Sequence, residues 1–207
     1  MISAREALER LKEGNRRFVS GSTDSRFRTG QEHRNTLVGG QEPFAVVLGC
    51  SDSRVPTEII FDQGLGDLFV IRVAGNIVAP SLIGSVEFAA EQFGTELVVV
   101  LGHSGCGAVE ATLSELSRPS SERSKNLRSI VERIRPSVEP LLEDEDDWTH
   151  ETLMELAIRA NIRNSAEQLT RGSTILQRLS EEKRLLVVGA EYSLQSGAVE
   201  MLDRDTL

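Results

Sequence analysis

The chain has 207 residues, 39% hydrophobic and 27% charged, which is enough length and apolar material for a globular core. A formal net charge of −9 and an isoelectric point near 5.0 speak against nucleic acid or an anionic membrane as its partner. No apolar run reaches membrane-spanning length and no signal-like segment opens the chain, so a cytoplasmic protein is expected.

In chain order, Ser3 and Glu6 stand in capping-box spacing, and Ala4, Ala7, Leu8 and Leu11 share one face of the turns that follow. This predicts an amphipathic helix whose stripe docks either on the chain's own core or on a neighbouring subunit. Residues 19–42 are polar and turn-rich and read as a connecting arm. Aliphatic runs follow at "FAVVLG" (44–49), "LFVIRVAG" (68–75) and "ELVVVLG" (96–102), with a fourth, "RLLVVGAEYS", from Arg184. None alternates cleanly between apolar and polar, as expected of strands covered on both faces. Helical patterns lie between them at 81–93, 106–117, 123–135 and 150–170, and the acidic stretch 143–148 reads as a solvated loop. A turn at Ser196-Gly197 precedes a short edge strand. The alternation predicts an α/β fold: a mostly parallel four-stranded sheet with an antiparallel edge strand, flanked by helices. One domain spanning residues 1–207 is expected.

Only two cysteines occur, Cys50 and Cys106, too few for a disulfide scaffold. They are either two small buried hydrophobes or part of a metal or catalytic site. Their positions favour the second. "FAVVLG" runs into "CSDSRVP" and "ELVVVLG" runs into "HSGCG", so both motifs sit at carboxyl ends of predicted parallel strands, where open α/β sheets bind ligands. Cys50, Asp52 and Arg54 project to one side of an extended segment. His103 and Cys106 stand three apart at a helix start, where the helix N-terminus favours a thiolate. If the strands are neighbours, Cys50, His103 and Cys106 converge into a soft donor set suited to zinc, with Asp52 as a fourth ligand that can leave.

C-S-D-S-R and H-S-G-C-G, about fifty residues apart, together resemble the zinc signatures of the β-class carbonic anhydrases, bacterial type. The resemblance extends through "CSDSRVPTEIIFDQGLGDLFVIRVAGNIV", "SVEFAAEQF" and "LGHSGCGAV", and more loosely through the first helix and "GAEYSLQSG". It implies a lyase that uses Zn2+ to interconvert carbon dioxide and bicarbonate. On the family pattern Cys50, His103 and Cys106 hold the metal and Asp52 and Arg54 form the catalytic pair, with Asp52 a metal ligand only in a closed state. Gln41, Gly107, Phe69 and Phe88 match substrate-binding positions, the two rings supplied at least partly by a partner subunit. A homodimer or dimer of dimers is implied, with residues 1–42 packing on the partner. Some members carry a second bicarbonate site built on Trp, Arg and Tyr. Arg72 and Tyr192 match two of these, but Val47 stands at the tryptophan position, so inhibition through that site is not expected.

Two rival readings stand beside this one: a related zinc hydrolase of carbon disulfide or carbonyl sulfide, and a non-catalytic, zinc-stabilised bicarbonate sensor. Other motifs carry less. Gly64 and Gly66 lack the third glycine of a dinucleotide loop, Ser51, Ser53 and Ser104 lack a nucleophile elbow, and His33 and His150 read as surface residues.

Overall fold

A computed structural model describes residues 2–23, 30–117, 124–143 and 148–202. Five strands form one sheet in the order β2-β1-β3-β4-β5. They are β1 (Ala45–Gly49), β2 (Leu68–Arg72), β3 (Leu97–His103), β4 (Leu186–Tyr192) and β5 (Val199–Leu202). The first four are parallel and β5 pairs antiparallel to β4, as the sequence pattern predicts. The unbroken aliphatic runs have a simple cause: alternate residues serve two cores. Val46, Leu48, Val98 and Val100 enter one, and Ala45, Val47, Leu97, Val99 and Leu101 enter the other.

The second core is covered by α1 (Ala4–Ser20) and α3 (Thr57–Ile60). Ser3 and Glu6 form the expected capping box, and Ala7 and Leu11 are fully buried. Buried Asn15 fixes the helix further, donating to the carbonyls of Ile60 and Gly197 and accepting from Val199 N–H. The predicted arm contains a short helix, α2 (Gln31–Leu37), which buries no residue and so left no apolar period to read. Its residues 24–29 lie outside the described residues.

The first core is covered by α4 (Pro80–Gln92), α5 (Gly107–Ser117), α6 (Lys125–Glu143), α7 (His150–Arg171) and α8 (Thr174–Glu181). Helix α6 continues past the boundary expected at residue 135, through Pro136 and Pro140. Both prolines are exposed, so the carbonyls they leave unbonded face water, while Val131, Ile134 and Val138 remain packed inside. Helix α8 lies outside the four helical patterns of the sequence; Ser173 caps it by accepting from Leu176 N–H at 3.1 Å, and Leu176 and Leu179 bury its inner side. Of the acidic stretch, residues 144–147 lie outside the described residues.

Strand β1 lies between β2 and β3, so the chain turns to opposite sides after it. That is a topological switch point, and the crevice it opens lies beyond the carboxyl ends of β1 and β3. Helix α7 crosses close over this region. A Cβ on Gly102 would lie 2.5 Å from Ile162 Cδ1, so the glycine before His103 is needed for helix approach.

Candidate metal centre

Cys50 follows β1 directly and His103 ends β3, and the register Gly49↔Leu101 sets these two strand ends side by side. After His103 the chain bends through Ser104-Gly105, and Cys106 stands immediately before α5. All three side chains are buried, His103 completely. One donor atom from each lies within 4.8 Å of the other two, a spacing that a single four-coordinate ion closes with bonds of about 2.0–2.3 Å.

The donors fit a soft metal. His103 Nδ1 pairs with the Ser104 carbonyl at 3.0 Å, which makes Nδ1 the N–H side and leaves a lone pair on Nε2. Nε2 is buried and has no hydrogen-bond partner among the described residues, so a ligand on it would satisfy an otherwise orphaned atom. Between the cysteines, a hydrogen bond from Cys106 draws the Cys50 thiol down to about 4 against the effect of burial. Help comes from His103 and from the backbone N–H groups of Asp52 and Gly75. Cys106 moves well above the ordinary thiol range, because Cys50 takes its proton as a hydrogen bond and because it is buried. Burial opposes charge on His103, but the Cys50 thiolate, the Ser104 carbonyl and Asp52 together hold its proton more tightly than usual. Once Cys106 and His103 give up their protons, the cluster offers two thiolates and an imidazole lone pair in a dry place, a set that attracts a cation.

Beside the cluster, Asp52 Oδ2 lies 3.9 Å from His103 Nε2. Arg54 engages both Asp52 oxygens, at 2.9 and 2.7 Å, and holds the carboxyl well below the usual carboxylate range. Asp52 is therefore turned toward Arg54 and does not join the three donors. Arg54 also reaches the Gly105 carbonyl at 3.5 Å, linking the two loops. Gly107 opens α5 next to Cys106.

The remaining expected residues lie elsewhere. Phe69 pairs with Val46, four residues before Cys50, which is about 13 Å along the strand. It stacks with Phe88 and Phe93 of the α4 region, with centroids 6.2 and 6.0 Å away, and Phe88 is 52% exposed. Gln41 precedes β1, at the amino end of the sheet, and lines a cavity of about 390 Å³ with Thr36, Leu37 and Glu42. His33 and His150 are surface residues, the latter 3.2 Å from Glu110 Oε2.

Sequence reasoning missed how the loop is held. Arg72 donates to the carbonyls of Cys50 and Asp52, at 3.1 and 2.6 Å, clamping the segment that bears the thiol and the carboxylate. Gly75 N–H points at Cys50 Sγ at 3.4 Å, from a 3-10 turn (Ala74–Asn76) where the aliphatic run 68–75 predicts the end of a strand. Asn161 of α7 holds that turn in place, and the available signal was a polar residue within the apolar face of its helix.

The sequence profile of the carbonic anhydrase family matches residues 45–199. Carbonic anhydrase 2 of Mycobacterium tuberculosis is 40% identical over 197 residues, covering 95% of this chain and 92% of that protein. The solved structure of the β-carbonic anhydrase CcaA superposes with a TM-score of 0.79 at 26% identity, over 96% of each chain. One of two tetrameric β-carbonic anhydrases of Sordaria macrospora matches with a TM-score of 0.66 at 26% identity, over 83% of this chain and 87% of that one.

Proposed function

The chain belongs to the β-class carbonic anhydrases, of bacterial type, and on that premise we propose that it is a zinc enzyme catalysing reversible hydration of carbon dioxide to bicarbonate and a proton. The observation that carries this reading is the convergence of Cys50, His103 and Cys106 beside the Asp52–Arg54 pair. Two thiolates and one imidazole suit zinc, and three protein ligands leave a position for chemistry. Bound there, the ion supplies Lewis acidity that makes hydroxide available near neutral pH.

The chain's own residues do the rest. Arg54 fixes the Asp52 carboxylate and keeps it ionised, so that it accepts a hydrogen bond from the attacking oxygen and orients it. Gly107, at the start of α5, offers a backbone N–H to the product anion. The proton is released to buffer.

Gln41, Phe69 and Phe88 are assigned to the same reaction in a second copy's site. They lie toward the amino end of the sheet, remote from the Cys50 of their own chain. Exposure of Val38, Leu65 and Phe88 on this part of the molecule supports a homodimer, or a dimer of dimers, that buries them. Helix α1 docks on the chain's own core through Ala7 and Leu11, and the described part of the arm, 30–42, is assigned to that contact. Among the described residues no helix is long and apolar enough to cross a membrane, and a cytoplasmic location remains part of the proposal.

Stopped-flow hydration of carbon dioxide by wild type and Asp52→Asn, with carbon disulfide as competing substrate, tests the reading. Rapid hydration that collapses in the variant while zinc is retained is expected. Preference for carbon disulfide would favour the hydrolase, and undiminished hydration by the variant would favour a metal site with no use for the pair.

A further inference from the structure

Helix α7 lays Ala157, Ile158, Ile162 and Leu169 against the sheet, and Asn161 sits within that apolar face with 1% exposure. A buried amide is costly unless its polar atoms are bonded. Asn161 Nδ2 donates to the Gly75 carbonyl at 2.8 Å, while its Oδ1 has no hydrogen-bond partner among the described residues. A leucine would fill this position without that orphaned oxygen, so packing alone does not account for the asparagine.

What the amide holds is the turn over the Cys50 sulfur. Gly75 has φ +70 and ψ 21, a left-handed conformation, and a Cβ there would lie 2.8 Å from Ile134 Cδ1 and 3.0 Å from Ala108 Cβ. In this conformation its carbonyl faces Asn161 and its N–H faces Cys50 Sγ at 3.4 Å. The turn is tied to β1 on its other side, where Val73 N–H donates to the Gly49 carbonyl and Ser51 N–H to that of Val73. One hydrogen bond from α7 thus fixes the peptide whose neighbour donates to a sulfur on another element.

We propose that Asn161 is a positioning residue for the Cys50 thiolate, holding the Gly75 N–H on the sulfur and so setting how strongly that sulfur donates to the metal. The inference rests on the reading of Cys50 as a metal donor. An N–H donor withdraws charge from a thiolate and fixes its direction, as outer partners of metal ligands do. Without it the sulfur is more electron-rich and less well aimed.

The test uses the full-length protein loaded with cobalt(II) or zinc. In Asn161→Leu the sulfur-to-cobalt charge-transfer band moves to longer wavelength, and zinc passes to a chelator about tenfold faster or more. Asn161→Ser, which cannot reach Gly75, behaves alike and serves if the leucine variant does not fold. Ser165→Ala, one turn along the same buried face, leaves both readouts at wild-type values. Wild-type band and transfer rate in the Asn161 variants overturn the proposal, as does an equal shift in Ser165→Ala, which would mark general loosening of α7. In wild type loaded with spin-half cadmium, scalar coupling between the metal and the Gly75 amide proton is expected; its absence overturns the proposal even if neither variant folds. A wild type that shows no thiolate band at all instead refutes the metal site, and one that shows it without hydrating carbon dioxide refutes only the enzymatic reading.

Discussion

Arg54 holds Asp52 by three hydrogen bonds: two from the guanidinium, at 2.9 and 2.7 Å, and one from its own backbone N–H, at 2.9 Å. The grip leaves Asp52 Oδ2 3.9 Å from His103 Nε2, beside the three donors yet separate from them. Replacing Asp52 by Asn keeps the shape and removes the charge. Steady-state hydration is expected to fall by about 10²-fold or more with zinc content unchanged. Arg54→Lys cannot reproduce the two-pronged geometry and is expected to lose most of the same activity.

The pH response follows from the same pair. The native Asp52 carboxyl is held below its ordinary range, first by the Arg54 side chain. Its favourable contribution is therefore complete above the ordinary carboxylate range and is lost only as pH falls through the depressed native value. Asp52 stays ionised across the neutral range and adds no slope there. Two thiolate donors leave a cation less electron-poor than imidazoles would, so the hydration rate is expected to rise from about pH 6 to about pH 9. A flat profile measured by stopped flow would count against this donor set.

Metal uptake is expected to release protons. Cys106 holds its proton above the ordinary thiol range and His103 above the ordinary imidazole range, and both must be free of protons to bind an ion. Affinity therefore rises with pH, and titration of metal-free protein in weak buffer should liberate about one to two protons per ion. Uptake without proton release would mean that these two residues are not the ligands.

Gly102 is expected to be intolerant of any side chain. A Cβ there would meet Ile162 at 2.5 Å, within the packing of α7 on β3. Gly102→Ala should destabilise the fold by about 1–3 kcal/mol in denaturant unfolding, with partial recovery when Ile162 is shortened to Val. An unchanged midpoint would show that the helix can move away freely.

The parallel sheet and its two reactive strand ends were legible because their signal is local and one-dimensional. Unbroken aliphatic runs mark strands buried on both faces, and Cys50, His103 and Cys106 follow two of them directly. Helix α2 escaped because it buries nothing, and the end of α6 was misplaced because exposed prolines cost less than the packing of Ile134 and Val138 gains. The holding roles of Arg72 and Asn161 are hidden in the sequence for another reason. Their partners, Cys50 and Gly75, are 22 and 86 residues away in sequence, and only the folded chain shows which carbonyl each one meets. The need for glycine at 102 is likewise visible only in the folded chain, where Ile162 of a distant helix fills the space beside it.

The most direct test of the metal centre is zinc-edge X-ray absorption, with elemental analysis, on protein purified without chelators. One zinc per chain is predicted, bound by two sulfurs at about 2.3 Å and one imidazole nitrogen, with a sulfur lost in Cys50→Ser and in Cys106→Ser. Protein free of zinc, or zinc surrounded only by oxygen and nitrogen, would contradict the account.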